Sequence, residues 1–175
     1  MANEVVQERL YNRADIVNFI GLTASATEFK KMTGFTDNGR TLNPETYERR
    51  YVDEKTQRKD VTGYATEIAY TLDRYVNNEV HDTIAEIHDL ELTGVSLPIV
   101  TVNLNEKGAV ANSFKAKKRM YSIIPDGDGD GTDAYQYTGV FGVNGEIVTG
   151  TATSVDGWKT CTFTADTDTP SPSAE

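Results

Sequence analysis

The sequence predicts a mainly β fold, in which two packed β-sheets, arranged as a sandwich or barrel, carry one flanking α-helix. Five segments in the C-terminal half read as strands, and residues 64–75 alternate apolar and polar side chains. Only residues 77–92 have clear helical spacing. Many short strands with a single helix are typical of a β-sandwich or barrel on which that helix packs. At 175 residues the chain is expected to form one domain, residues 1–165, with a short tail.

The N-terminal arm, residues 1–25, is compatible with two structures. Helical spacing relates Val6, Leu10, Ala14 and Val17. The stretch DIVNFIGLT reads equally well as a strand. The next stretch, EFKKMTGFTD at residues 28–37, predicts a strand with a bulge or turn at Gly34.

Residues 37–63 form a long polar segment with turn signals at Asn38-Gly39 and Asn43-Pro44. Loops of this length inside a compact domain are usually functional or disordered. This one contains Tyr47 and Tyr51, which are poorly suited to simple disorder. We therefore predict an extended loop that becomes ordered against a partner surface.

The next two segments differ in their period. Residues 64–75 place one set of side chains on a single face of a half-buried strand, namely Tyr64, Thr66, Ile68, Tyr70 and Leu72. Residues 77–92 then repeat apolar side chains at helical spacing, with Asn77 or Asn78 as the N-cap and Gly94 closing the end. The sequence predicts a helix around residues 78–91.

The C-terminal half is read as five strands, at residues 97–104, 113–124, 134–143, 145–154 and 157–165. Asn144-Gly145 and Asp156-Gly157 predict two-residue hairpins. The basic stretch KAKKR predicts a solvated edge strand with Lys115, Lys117 and Arg119 on one face. The tail, residues 166–175, has alanine as its only apolar residue and is expected to be disordered.

Composition narrows the class of protein. The net charge is −10, which argues against tight nucleic-acid binding, because affinity for phosphates comes from Lys and Arg. Cys161 is the single cysteine and is expected to be a buried structural residue rather than a nucleophile. The N-terminus lacks an apolar signal-peptide core, and no apolar run is long enough for a membrane span.

One stretch, PDGDGDGTDAYQY, has half of a calcium-loop pattern. Asp126, Asp128 and Asp130 match its first three ligand positions, but Tyr137 stands where a glutamate is required. We interpret the stretch as a turn between two strands and predict no metal site.

His81 and His88 lie seven residues apart, unlike the spacing of four in helical zinc pairs, and are expected to be exposed. No nucleophile, phosphate-binding or CxxC motif is present. The chain is therefore expected to be no enzyme and to bind no cofactor.

Four stretches are distinctive: NPETYERRYVDEK, VHDTIAEIHD, SIIPDGDGDGTDAY and GTATSVDGWKTCTFT. With them, residues 28–165 resemble the major tail proteins, or tail tube proteins, of long-tailed bacteriophages and prophages. The resemblance implies two packed β-sheets with a helix, in a structural virion protein that forms stacked hexameric rings. The rings would form a hollow tube that conducts DNA during ejection.

The resemblance also implies partners and sites. The partners would be further copies of the chain, the tape-measure protein and other tail proteins, in a virion tail assembled in the host cytoplasm, with DNA passing unbound and no membrane. The long loop would bridge subunits and rings, with candidate residues Asn43, Pro44, Tyr47, Arg49, Arg50 and Tyr51. An acidic conduit would repel the DNA backbone and keep it from adhering to the wall. The candidates for lumen or ring-end positions are Asp126, Asp128, Asp130 and Asp133.

Two alternatives remain open at this point. The first is a β-sandwich binding module for carbohydrate or a cell surface, assisted by calcium at the aspartate loop. The second, within the same structural class, is the inner tube of a contractile tail or secretion device.

Overall fold

A computed structural model describes residues 8–129 and 131–167 of the protein. The described part contains twelve β-strands and one α-helix. The strands are β1 Ile16–Ile20, β2 Glu28–Lys31, β3 Phe35–Asp37, β4 Arg40–Thr41, β5 Pro44–Arg49, β6 Arg58–Tyr64, β7 Glu67–Asp73, β8 Ser96–Lys107, β9 Ser113–Asp128, β10 Gln136–Val143, β11 Val148–Thr153 and β12 Thr160–Ala165; the helix α1 is Glu79–Asp89. No helix in this part of the chain is long and apolar enough to cross a membrane.

Six strands close into an antiparallel barrel in the order β11-β12-β2-β1-β8-β9. The barrel closes because β9 pairs with β8 along one edge and with β11 along the other, so that Ala116 lies opposite both Val102 and Gly150. Side chains that alternate along these strands fill the interior: Val17, Phe19, Phe29, Val100, Val102, Ala116, Ala152 and Cys161. The mainly β prediction is confirmed, and Cys161 is buried as predicted.

The second half of β9 leaves the barrel and begins an extension of the sheet. There β9 pairs with β10, β10 with β7, and β7 with the short strands β3 and β4. The helix and this extension enclose the second core, formed by Ile20, Ile68, Tyr70, Leu72, Val80, Ile84, Ala85, Ile87, Leu97, Ile99, Tyr121, Ile123, Tyr137 and Phe141. The two cores meet across the wall formed by β1, β8 and β9.

The helix starts and ends close to its predicted bounds. Asn78 is the N-cap, and its side-chain oxygen accepts hydrogen bonds from the backbone N–H groups of Val80 and His81. Glu79 and Asp82 lie in the first turn, where acidic side chains complement the helix dipole.

The two histidines are buried, so the prediction that they are exposed was wrong. Residues seven apart lie two turns apart on one helix face, and here that face includes Ile84 and packs on the sheet. His81 accepts a hydrogen bond from the Tyr75 N–H at Nδ1, and its Nε2 lies 2.6 Å from the Thr33 carbonyl. His88 Nε2 lies 2.7 Å from the Tyr70 hydroxyl. Both are polar core residues with hydrogen-bond partners.

Three predictions for the C-terminal strands were wrong. The KAKKR stretch lies in β9, which has strands on both sides and is not an edge. Asn144-Gly145 makes no hairpin, because β10 pairs in the extension while β11 pairs in the barrel. The β11–β12 hairpin has a longer connection than two residues, in which Asp156 accepts hydrogen bonds from the N–H groups of Lys159 and Thr160.

The N-terminal arm and the long loop also acquire definite structure. The arm forms a 3-10 turn at Arg13–Asp15 and then β1, so the strand alternative is the correct one there. The segment 37–63 is not an irregular loop but contains a β-hairpin of β5 and β6. Residues 1–7, Asp130 and residues 168–175 lie outside the described residues, including most of the tail predicted to be disordered.

Candidate functional site

The β5–β6 hairpin is a separate two-stranded sheet. Its base is closed by Asn43 and Ala65, which exchange hydrogen bonds through the Asn43 carbonyl and side-chain amide. The register runs from Pro44 opposite Tyr64 to Arg49 opposite Arg58. Neither strand pairs with the ten-stranded sheet.

The hairpin buries almost none of its side chains. Every residue of β5 is exposed, and in β6 only Gly63 is partly covered. Its apolar side chains are exposed as well, including Tyr47, Val61 and Tyr64. An isolated two-stranded hairpin is marginally stable in water, because it lacks a buried face. Within residues 8–129 and 131–167, the hairpin is therefore a surface that no other element covers.

Cations and aromatic rings organise the tip of the hairpin. The Arg49 guanidinium lies 4.8 Å from the centre of the Tyr47 ring and 5.2 Å from that of Tyr51. The Arg58 guanidinium lies 5.5 Å from the Tyr51 ring and forms an ion pair with Glu54. Such contacts are weak in water and become stronger when a partner excludes it.

A hydrogen bond from Lys59 lowers the pKa of Glu48, which lies opposite it in the hairpin. That carboxylate therefore stays charged at neutral pH, and the exposed sheet presents both signs of charge.

The structure brings the six candidate bridging residues together. Asn43 lies at the hairpin base, Pro44, Tyr47 and Arg49 lie on β5, and Arg50 and Tyr51 follow it. Their role in subunit contacts stays a prediction.

The three acidic candidates that the structure describes lie at or just beyond the end of β9, the longest described strand. Asp126 and Asp128 are exposed near the end of β9, and Asp133 is exposed in the following turn. Asp128 accepts a hydrogen bond of 2.7 Å from Tyr135, which raises the pKa of that tyrosine. Among the described residues, which exclude Asp130, no group of three or more His, Cys, Asp or Glu side chains is placed to hold a metal ion.

The same end of β9 has a free backbone edge. Its pairing with β8 ends at Ser122, whereas its pairing with β10 continues to Asp128 on the opposite edge. In the described part of the chain, residues 124–128 therefore have no strand beside them on the β8 side. Pro125 and the aspartates on this edge are residues that discourage unspecific strand pairing.

Sequence reasoning missed a basic groove of about 720 Å³ on the outer face of the barrel. Its lining includes outward side chains of β1, β8, β9 and β11 and the turn before β4. Six cations contribute to the lining: Arg13, Arg40, Lys107, Lys115, Lys117 and Arg119. The shared face of Lys115, Lys117 and Arg119 was correctly predicted, but the groove requires Arg13 and Arg40, which lie far from them in sequence.

Comparison with known proteins gives similarity in structure only. No protein-family model and no curated protein matches the chain in sequence. A solved structure described as the tail of an empty gene transfer agent particle, refined with C6 symmetry, contains a similar chain at TM-score 0.52 and 15% identity, covering 79% of this chain and 97% of that one. A chain from the virion of a native gene transfer agent matches at TM-score 0.53 and 13% identity, covering 89% and 100%. The fold that the resemblance implied is confirmed.

Proposed function

We propose that the protein is a structural subunit of a virion tail, which self-assembles into stacked hexameric rings that form the tail tube and conduct DNA during ejection. The observation that carries the proposal is the β5–β6 hairpin, a formed sheet that no element in the described part of the chain covers. The fold supports the same function, because it is shared with chains of gene transfer agent tail and virion structures.

The hairpin suits a bridge between identical subunits. Tyr47 and Tyr51 lose solvent exposure when another surface covers them, and the arginines stacked on them then lie in a drier environment. Tyrosine and arginine are also the residue types enriched at interaction hot spots. Contact between different surfaces of identical copies is heterologous and produces rings or open filaments.

Unpaired sheet edges also favour assembly. The barrel is closed, so its own sheet needs no neighbouring copy to complete it. Among the described strands, backbone groups on the extension stay unpaired at residues 124–128, on the β8 side, and at the outer side of β3 and β4. Pairing or covering these edges in an assembly removes a liability that an isolated subunit retains.

The proposed conduit role assigns the acidic end of β9 to the lumen or to a ring end. Asp126, Asp128 and Asp133 are exposed, and Asp130 is proposed with them on sequence alone. Negative charge there repels the DNA backbone and keeps it from adhering to the wall. We also propose the tape-measure protein and other tail proteins as partners. Assembly is proposed to take place in the host cytoplasm.

Negative-stain electron microscopy of the purified protein, over a range of protein and salt concentrations, tests the proposal. Annular or tubular particles with sixfold symmetry are expected. Monomers under all conditions would contradict it.

Two exposed valines provide a matched pair of variants. Val52 at the hairpin tip and Val155 in the β11–β12 connection have relative exposures of 109% and 102%. Because both side chains are fully exposed among the described residues, Val52→Asp and Val155→Asp should leave the unfolding midpoint unchanged. Loss of particles with Val52→Asp alone is expected. Equal particle yields from the two variants would exclude the hairpin tip from the contact.

A further inference from the structure

The basic groove on the barrel is unusual in a chain whose net charge is −10. Its six cations face two acidic side chains in the lining, Glu106 and Asp166. Glu106 forms an ion pair with Lys115 at 3.3 Å. Within the described residues, Lys117, Arg119 and Arg40 have no ion-pair partner. The groove therefore has an excess of positive charge that its own walls do not neutralise.

The described chain ends at this groove. Asp166 follows β12, donates its backbone N–H to the Thr149 carbonyl, and is part of the groove lining. Thr149 lies opposite Lys117 in the β11–β9 pairing. Two inter-strand spacings, about 10 Å, therefore separate the backbone at Asp166 from that at Lys117.

The segment after the described residues, 168–175 with the sequence DTPSPSAE, has the charge and the reach to enter the groove. It contains two carboxylates, Asp168 and Glu175, and no basic residue. An extended chain advances about 3.3–3.6 Å per residue, so three residues past Asp166 cover the distance to Lys117. Two prolines reduce the conformational entropy that the segment loses on binding.

We propose that the acidic segment 168–175 docks in the basic groove of its own subunit, with its carboxylates beside Lys117, Arg119 and Arg40. Occupation of the groove neutralises the local excess of positive charge. It also shields from other polyanions a surface that would otherwise attract them, which matters for any acidic protein that meets nucleic acid. The proposal stands independently of the tail assignment, because it concerns one subunit.

A cysteine pair tests the docking directly. Cys161 is buried and is the only native cysteine, so a disulfide formed under mild oxidation is expected to join the two introduced thiols. Ser171→Cys combined with Ile147→Cys places one thiol in the segment and one on the exposed groove lining, next to Val148, which lies opposite Lys118. Under mild oxidation we expect an intramolecular disulfide, seen as a monomer of altered mobility on a non-reducing gel.

The control keeps the tether and changes only the charge. The same cysteine pair is combined with Lys117→Glu and Arg119→Glu, after circular dichroism has verified the fold. We expect cross-linking to slow by about fivefold, the effect of losing two surface ion pairs. Equal rates in the two backgrounds would overturn the proposal. A disulfide-linked dimer as the main product would also overturn it and would assign the segment to a second copy.

Heparin-agarose gives a second measurement without engineered thiols. The chain ending at residue 167 should elute at higher salt than the full chain, because its groove is uncovered. Asp53→Asn with Asp60→Asn is the matched control, since it removes two exposed charges from the hairpin and leaves the segment intact. Equal retention of the truncated chain and this control would contradict docking.

Discussion

The body of the subunit and its hairpin are both antiparallel β-structure, yet they are stabilised differently. In the body, alternate side chains enter one of two cores, and residues such as Phe19, Leu72 and Ile84 are fully shielded from solvent. In the hairpin, successive side chains also point to opposite faces, but both faces are exposed to solvent. Hydrogen bonding alone therefore does not distinguish the two regions, whereas burial does. The difference leads us to expect that the body is stable alone and to propose that the hairpin packs on a second molecule.

Removal of the hairpin gives the largest expected effect on that comparison. A variant that joins Asn43 to Ala65 through two glycines should lose all particle formation. Its body should keep its far-UV circular dichroism and an unfolding midpoint close to that of the whole chain, because no core residue is lost. Particles that still form would show that the hairpin is dispensable for assembly, and an unfolded variant would show that the body depends on it.

A pair of truncations to alanine tests the two regions by stability. Ile84→Ala creates a cavity in the core between the helix and the sheet, and we expect a loss of about 2–5 kcal/mol in the free energy of unfolding. Val61→Ala in the exposed hairpin should cost less than about 0.5 kcal/mol in the isolated subunit. Urea denaturation below the concentration at which particles form measures both. Similar losses would mean that the hairpin is already packed in the monomer.

The smallest expected effect is a pH dependence of the free energy of unfolding, which arises in the body and not in the hairpin. Burial lowers the pKa of His88, despite opposing attraction from Asp128 and Asp89. The unfolded chain therefore binds a proton below about pH 6.5, where folded His88 resists protonation, and stability decreases as the pH falls through that range. The slope for one proton cannot exceed about 1.4 kcal/mol per pH unit.

His88→Gln, which retains a polar partner for Tyr70, should flatten this dependence between pH 7 and 5. The second buried histidine, His81, is present in both proteins, so the difference between them isolates His88. An unchanged slope would mean that His88 is protonated equally in the folded and unfolded states.

The sequence predicted those features of the fold that arise from local pattern. The alternation around Ile68 and Leu72 predicted β7, and Asn78 with the repeat from Val80 to Ile87 predicted the helix. Pairing partners were not predictable in this way. Asn144-Gly145 has the composition of a tight turn, but it joins the extension to the barrel because β9 already occupies the neighbouring edge of β10.

The same limit applies to the candidate site. The tyrosines of the hairpin were singled out because they are poorly suited to a disordered loop. Its arginines were named because the resemblance implied that this loop bridges subunits. The structure groups both residue types on one element. The hairpin itself was missed, because PETYER and RKDVTGY have almost no apolar alternation. The buried histidines were mispredicted because an aspartate, Asp82 or Asp89, directly follows each of them and favours a solvated position. The helix period instead places both histidine side chains on the core face.

Strand β9 gives the molecule a mechanical property. Its 16 residues extend about 50 Å and belong to the barrel at one end and to the sheet extension at the other. A load applied between these ends acts along covalent bonds and shears many inter-strand hydrogen bonds at once, instead of opening them one by one. The subunit should therefore transmit tension along β9 with little elongation.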